Sequence, residues 1–457
     1  MSETPETTGP VVQTSSGRVR GRIRGDVAAF LGVPYAEPPT GERRLRLPEP
    51  CSAAPGVLDA AAFGPAAPQP PSRLGAVLDP MGLPGQDENC LNLHVWTTAR
   101  PGAVPVRPVL VWLHGGGYLA GAGSQPWFDG TRLAREHGLV VITLNYRLGA
   151  LGFLYLPGGE GEEPVANLGI HDQLSALRWV RDNVAAFGGD PGQVTLAGQS
   201  AGGQSVLAIL HRHDPADPLY RRAVIQSAPL GLRPLVPAEA LDRTGLVLEE
   251  LGIADGGYAR LRDVPTASLI AAQSAVERRL ARPFQLGPAF QLVADGFLPG
   301  QLLTPRASSI EVTFTATENE ADAFTVPDPR VQAMERPDIE SALRALLDDP
   351  ASAYAEHAHR HPALAPPQIA SDLVTRHFFH QDMRLLAAHL RARGCRVRTH
   401  RFTWHPGNSP LRAAHCIELP FEFGNVDSWR DSPLLRGASE DALAEQTGAV
   451  QRQLALW

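Results

Sequence analysis

Three short apolar runs restrict this chain more than any other feature. They are VRPVLVWLH (106–114), LVVITLNYR (139–147) and QVTLAG (193–198). Each is rich in β-branched side chains and ends in turn residues. The runs at 106–114 and 139–147 are apolar without a clean alternation, which suits central strands covered on both faces. Helical patterns lie between and after them: around Gly130–His137, over HDQLSALRWVRDNVAAF (171–187), and from Ala201 to His211. In the second of these, Leu174, Leu177, Trp179, Val180 and Val184 fall mostly on one stripe. FGGDP is read as the turn that leads into QVTLAG. Strand and helix in alternation imply an α/β fold, a mostly parallel sheet with helices on both faces.

The flanks add less. GRVRGR (17–22) and VAAFLGVPYA (27–36) read as an N-terminal hairpin. From Pro38 to about Gln86 the chain is rich in Pro, Ala and Gly and is expected to wrap the surface irregularly. CLNLHVW (90–96), IEVTFTAT (310–317) and RVRTHRFTW (396–404) are further strand candidates. Residues 237–290 and 328–395 are largely helical by pattern and are expected as excursions around the sheet. No repeat or low-complexity tail divides the chain, so 1–457 is read as a single domain.

Composition excludes several functions. Of the 457 residues, 43% are hydrophobic and 19% charged, the balance of a globular protein. The net charge is -7 with no basic stripe, which argues against nucleic acid as a partner. The chain contains no lysine, which removes Schiff-base and P-loop lysine chemistry. No apolar run is long enough to span a bilayer, and the N-terminus lacks the apolar stretch of an export signal. The scattered Cys51, Cys90, Cys395 and Cys416 show no zinc spacing. A cytoplasmic protein with reduced thiols is the expectation, with no membrane contact.

The chemistry concentrates in three places. Gly198-Gln199-Ser200-Ala201-Gly202 sits where a strand ends and a helix begins. Such a G-x-S-x-G turn strains the serine and lifts its hydroxyl clear of the sheet. His114-Gly115-Gly116-Gly117-Tyr118 follows another buried strand. There, glycines let main-chain N–H groups approach a developing oxyanion. Gly116, Gly117 and Ala201 are the expected donors. A serine hydroxyl also needs a base, and histidine is the usual one. Of 15 histidines, His415 in LRAAHCIELPFEFG lies after the late strands, where the order serine, acid, histidine would place it. A polar loop histidine would look the same in composition.

These motifs belong to a longer set of ordered blocks. They include FLGVPYAEPP (30–39), ENCLNLHVW (88–96), NYRLGALGFL (145–154), NLGIHDQLSALRWVRDNVAAFGGDP (167–191), VIQSA (224–228), DGFLP (295–299) and ATENEADAF (316–324). Together they resemble the type-B carboxylesterases, the α/β-hydrolase family that includes the cholinesterases, along essentially the whole chain. The resemblance implies an α/β-hydrolase fold and an acyl-enzyme mechanism without metal or organic cofactor. It also implies the third triad member. Laid on ATENEADAF, the family's acid falls on Glu320, with Glu318 and Asp322 as competitors because Ala321 replaces the usual following glycine. The implied triad is Ser200, Glu320 and His415.

Three departures from the family pattern stand out. Gln199 replaces the usual glutamate beside the nucleophile, which removes a negative charge and should disfavour a charged His415. Cys90 is present, but the position of its partner in secreted members is Ala67, so that disulfide is expected to be absent. No tryptophan precedes Cys90 at the spacing of the cholinesterase choline site, leaving a quaternary-ammonium site unsupported. Among lesser candidates, His357, His359 and His361 form an H-x-H-x-H that reads first as a solvated helix end rather than a metal site. Asp172 and Gln173 read as structural. Ser227 is either a buttress for the acid or an ordinary buried serine.

The resulting expectation is a serine carboxylesterase acting on a small-molecule ester, a monomer by default. An amidase or carbamate hydrolase would use the same residues. A non-catalytic adhesion relative would be expected to have lost part of the triad. The pocket walls are expected from 65–90, 230–300 and 325–410, and the sequence does not specify the ester.

Overall fold

A computed structural model describes residues 9–53, 55–78, 82–100, 102–104, 106–158, 163–302 and 310–454. Twelve strands are described: β1 Val11–Thr14, β2 Gly17–Arg20, β3 Arg22–Arg24, β4 Val27–Pro34, β5 Val57–Asp59, β6 Asn92–Thr97, β7 Arg107–Leu113, β8 Val140–Leu144, β9 Gly189–Gln199, β10 Arg222–Gln226, β11 Glu311–Thr317 and β12 Val397–Phe402. Nine of them form one sheet in the order β12-β11-β10-β9-β7-β8-β6-β4-β3. From β12 to β8 every neighbour is parallel. From β8 to β3 the pairing is antiparallel. The mostly parallel α/β architecture read from the apolar runs is therefore present, with an antiparallel edge.

Side chains of the central strands alternate between two cores. Val109, Val111 and Leu113 of β7 enter one, packed with Val206 and Ile209 of the helix Ala201–His211. Leu110 and Trp112 enter the other, packed with Leu133, Phe128 and the C-terminal segments. Burial on both faces explains why these strands read as continuous apolar runs. A third cluster, including Ile339, Leu373 and Phe379, fills the helical excursion after residue 328.

The structure corrects several boundaries. GRVRGR is not one arm of a hairpin with VAAFLGVPYA. Its first part, β2, pairs with β1 and β5 in a separate small sheet, and only Arg22–Arg24 pairs with β4. FGGDP is not wholly a turn: the turn falls at Gly188 (φ +81°), and Gly189 already pairs with Arg107. The third helix starts earlier than expected, at Leu168, and its last turn tightens over Val184–Phe187. Helix in the first excursion ends at Leu280 rather than near 290. β10 was not anticipated as a strand, since five residues carry too little periodicity to identify one. No helix among the described residues is long and apolar enough to cross a membrane.

Candidate active site

The nucleophile candidate stands at the C-terminal end of β9, where the chain reverses into the helix Ala201–His211. Ser200 adopts φ +58°, ψ −124°, a conformation that side chains rarely occupy. Surrounding contacts over-determine it. The Ser200 N–H donates to the Gln226 carbonyl at 2.8 Å. A methyl group on Gly202 would lie 2.1 Å from the Leu113 carbonyl oxygen, so the helix passes β7 at a distance that only glycine permits. Ser200 is half-buried, and it borders a cavity of about 460 Å³.

The glycine loop after β7 borders the same cavity. Gly116 takes φ +112°, and a Cβ there would strike the Ala120 carbonyl oxygen at 2.0 Å. His114 is fully buried and pins the loop. Its ring stacks on Tyr146 with centroids 4.4 Å apart, and its Nδ1 lies 2.8 Å from the Gly115 carbonyl. The Tyr146 hydroxyl donates to the His114 carbonyl at 2.8 Å. Burial lowers the His114 pKa to about 4, so the imidazole is neutral, and its Nδ1–H can donate to Gly115. Among the described residues, the N–H groups of Gly116, Gly117 and Ala201 donate no hydrogen bond. All three residues line the cavity beside Ser200. Such an arrangement can receive an anionic oxygen.

Glu320 and His415 do not line the cavity and meet next to the Gln199 side chain. Glu320 follows β11 and His415 follows β12, and their side chains join through Oε2 and Nδ1 at 2.5 Å, both fully buried. The Thr317 N–H donates to the other carboxylate oxygen at 2.7 Å. Burial alone would raise the Glu320 pKa. The His415 charge, with hydrogen bonds from His415, Ser227 and Thr317, holds it below the usual carboxylate range. Burial disfavours the His415 imidazolium, whereas the Cys416 sulfur and the Glu320 carboxylate favour it, and the balance lifts His415 above its ordinary range. Phe324 and Phe379 flank the ring at 5.5 and 5.4 Å.

The competing acids are engaged elsewhere. Glu318 pairs with Arg401 at 3.0 Å near the surface. Asp322 accepts a two-pronged pair from Arg412 at 2.6 and 2.8 Å and a bond from Ser371 at 2.5 Å.

Ser200 and His415 are not joined. His415 Nε2 faces the Gln199 side-chain nitrogen at 3.3 Å, and that nitrogen also lies 3.3 Å from Cys416 Sγ. Among the described residues the Ser200 hydroxyl makes no hydrogen bond. In the neutral ring, with the Nδ1 proton directed at Glu320, Nε2 carries the lone pair, and the Gln199 amide caps it.

Glu418, Glu422 and Phe379 escaped the sequence reading, whereas Ser227 was named there as a candidate buttress. Glu418 and Glu422 lie buried behind His415, and Ser227 reaches the Glu418 carboxyl at 3.3 Å as well as Glu320. Burial, together with the Glu320 charge, raises Glu418 to about 7. Burial, with Glu418 beside it, pushes Glu422 well up, and Gln226 donates to it at 2.5 Å. The available signal was two glutamates in the apolar run CIELPFEF. Phe379 reaches the site from a widened helical turn, Arg376–Gln381, a form often found at functional sites. The expected walls are met unevenly. From 65–90, Gln69 to Gly75 with Leu78, Leu83 and Gln86 line the cavity, and from 230–300, Leu232, Leu286 and Pro288; Trp127 and Phe128 were not foreseen, and Phe379 is the contribution of 325–410 among the described residues.

Other candidates sit apart from the cavity. Asp172 is held by Arg147 at 2.6 and 2.8 Å, and Gln173 bonds Ser205 at 3.2 Å. His357 pairs with Asp372 at 3.0 Å, while His359 and His361 are exposed. Among the described residues no cluster of three or more His, Cys, Asp or Glu side chains is placed to hold a metal.

Comparison with known proteins identifies the family. Residues 8–446 match the carboxylesterase family. Phenmedipham hydrolase from Pseudarthrobacter oxydans is 38% identical over 97% of this chain and 89% of its own length. Para-nitrobenzyl esterase from Bacillus subtilis (strain 168) is 35% identical over 91% and 83%. The crystal structure of a Geobacillus stearothermophilus carboxylesterase superposes with a TM-score of 0.83, at 32% identity, covering 98% of this chain and 90% of that one.

Proposed function

We propose that this chain, which belongs to the carboxylesterase family and hydrolyses carboxylic esters, does so through an acyl-enzyme on Ser200. His415 takes the Ser200 proton as the hydroxyl attacks the ester carbonyl, and Glu320 holds the imidazole tautomer and balances its charge. The oxyanion rests on the N–H groups of Gly116, Gly117 and Ala201. His415 then returns the proton to the departing alcohol. Water attacks the acyl-enzyme with the same base, releasing the acid.

One observation carries this reading: a strained serine borders the same cavity as three unclaimed main-chain N–H groups, with a buried carboxylate–imidazole pair behind it. The Gln199 amide yields the His415 lone pair when substrate brings the serine into line. Catalytic hydrogen bonds commonly tighten only in the loaded enzyme. The substrate is a small ester, since the cavity is of the size that encloses ligands of a few hundred daltons. The reaction as drawn uses no metal or cofactor, and the chain acts as a monomer.

The test is labelling with a fluorophosphonate. The expected result is one label per chain, located at Ser200 by peptide mass spectrometry, and loss of both label and turnover in Ser200→Ala with unchanged circular dichroism. A label on another residue, or turnover surviving in Ser200→Ala, overturns the assignment.

A further inference from the structure

The cavity that borders Ser200 is lined almost entirely by apolar and neutral polar side chains. Among the described lining residues, Arg73 is the single one with a formal charge at neutral pH. It stands on a turn whose apolar side is anchored: Leu74, Val77 and Leu78 are buried with Trp127 and Phe128, and Ser432 donates to the Val77 carbonyl at 2.9 Å. The guanidinium donates through Nη1 to the carbonyl of another lining residue, Leu286, at 3.2 Å. That contact uses part of a five-donor group and neutralises none of its charge. The Glu277 carboxylate feels the Arg73 charge and accepts from the Ala289 N–H at 2.6 Å, but no ion pair joins the two among the described residues. Arg73 itself is exposed at this wall, so the remaining donors are accessible from the cavity.

An exposed guanidinium with no ion-pair partner among the described residues, beside an otherwise uncharged ester cavity, has a defined chemical complement. We propose that Arg73 is an anion subsite, and that the favoured substrates are esters bearing a free carboxylate several bonds from the scissile carbonyl. This rests on the reading of the cavity as the ester site. The planar fork takes a carboxylate through paired N–H donors, so it selects charge and shape together. Arg73 also braces two lining segments, and a brace alone would serve charged and neutral esters equally. The charge ratio therefore separates recognition from support.

The experiment compares two matched ester pairs on the full-length enzyme. One pair places the charge on the acyl side, 4-nitrophenyl hydrogen adipate against its methyl ester. The other places it on the alcohol side, the butyrate of 4-hydroxybenzoate against that of its methyl ester. The wild type should favour the anionic member of at least one pair by about fivefold in kcat/KM, the scale of a partly exposed charge pair, expressed in KM. The pair that shows the preference identifies which side of the ester faces Arg73. Raising ionic strength should shrink the preference. Arg73→Gln should bring the ratio to about one, and Arg73→Glu should invert it. Absence of preference in both wild-type pairs, or a preference that survives Arg73→Gln, overturns the proposal. If the wild type cleaves none of the esters, the cavity assignment itself falls and the subsite with it.

Discussion

The two sides of the site are held by different forces. On the nucleophile side, Ser200 and the glycine loop are fixed by main chain packed against main chain, close enough at Gly116 and Gly202 that a single methyl group would overlap a carbonyl oxygen. On the acid–base side, Glu320 and His415 sit on loops tied by buried polar groups. Arg412, three residues before His415, binds Asp322, two residues after Glu320, and also Asp372 at 2.9 Å on the helical excursion. Main-chain bonds run alongside, from Asn319 to the Ala413 carbonyl at 2.9 Å and from His415 to the Glu320 carbonyl at 3.3 Å. The first side resists change through steric exclusion. The second depends on charges that compensate one another in a poorly solvated place. Substitutions should therefore fail differently on the two sides, through steric displacement of the main chain on the first and through uncompensated charge on the second.

The largest effect should come from the shared carboxylate. Glu320→Gln leaves the shape but removes the charge and reverses the hydrogen bond on His415 Nδ1. The expected loss in kcat is about 10⁴-fold, as for other triads that lose their acid. Glu318→Gln, whose partner is Arg401 near the surface, should stay within about twofold of wild type, since exposed pairs are worth little. Steady-state kinetics on a short-chain aryl ester measures both. Equal losses in the two variants would remove Glu320 from its role.

Next in size is the clamp. Arg412→Met leaves Asp322 buried without its cation, and the expected cost is about 3 kcal/mol in a urea titration. The midpoint should fall further than in Arg330→Met, whose pair with Asp328 is exposed on the arginine side. An unchanged midpoint would mean that the acid–base side is held by its main-chain bonds alone. On the nucleophile side, Gly116→Ala meets both the left-handed φ and the Ala120 carbonyl. The loop must move, and kcat should drop about 10²- to 10³-fold, the range for a lost oxyanion donor. If kcat holds while KM alone rises, Gly116 shapes the cavity and does not stabilise the oxyanion.

The same contrast explains what the sequence made legible. Close main-chain packing requires glycine at fixed offsets from a strand end, and that requirement is visible in HGGGY and GQSAG as letters. The parallel sheet was legible for a similar reason, because strands covered on both faces must be apolar throughout. Polar networks leave no such trace. Arg412 and Asp322 are 90 residues apart, and nothing in either segment names the other. Glu320 was reached through family resemblance, and its competitors Glu318 and Asp322 could be separated only by seeing which cation each one holds. Glu418 and Glu422 drew no reading at all, because burial of a carboxyl is a property of the assembled loops. β10 was missed because five residues do not repeat often enough to show a period.

The smallest effect lies where the two sides touch. Gln199 belongs to the nucleophile turn, yet its amide caps Nε2 of His415 and reaches Cys416. A donor on that lone pair stabilises the neutral imidazole. A carboxylate at the same position would instead accept from the protonated ring and stabilise the imidazolium, which raises the pKa. In the proposed mechanism His415 serves as a base only when neutral, so activity should fall as pH drops through its pKa. The acid limb of kcat/KM in Gln199→Glu should therefore move up by about one pH unit, the size of one charged hydrogen bond in a buried place. Gln199→Met removes the donor without adding charge, and its limb should move in the same direction by less. The alkaline side should stay where it is, since neither variant changes the neutral base. An acid limb that does not move in Gln199→Glu would show that the amide leaves His415 before the base is used. The cap would then belong to the resting enzyme alone, and the boundary between the two sides would be crossed only when no ester is bound.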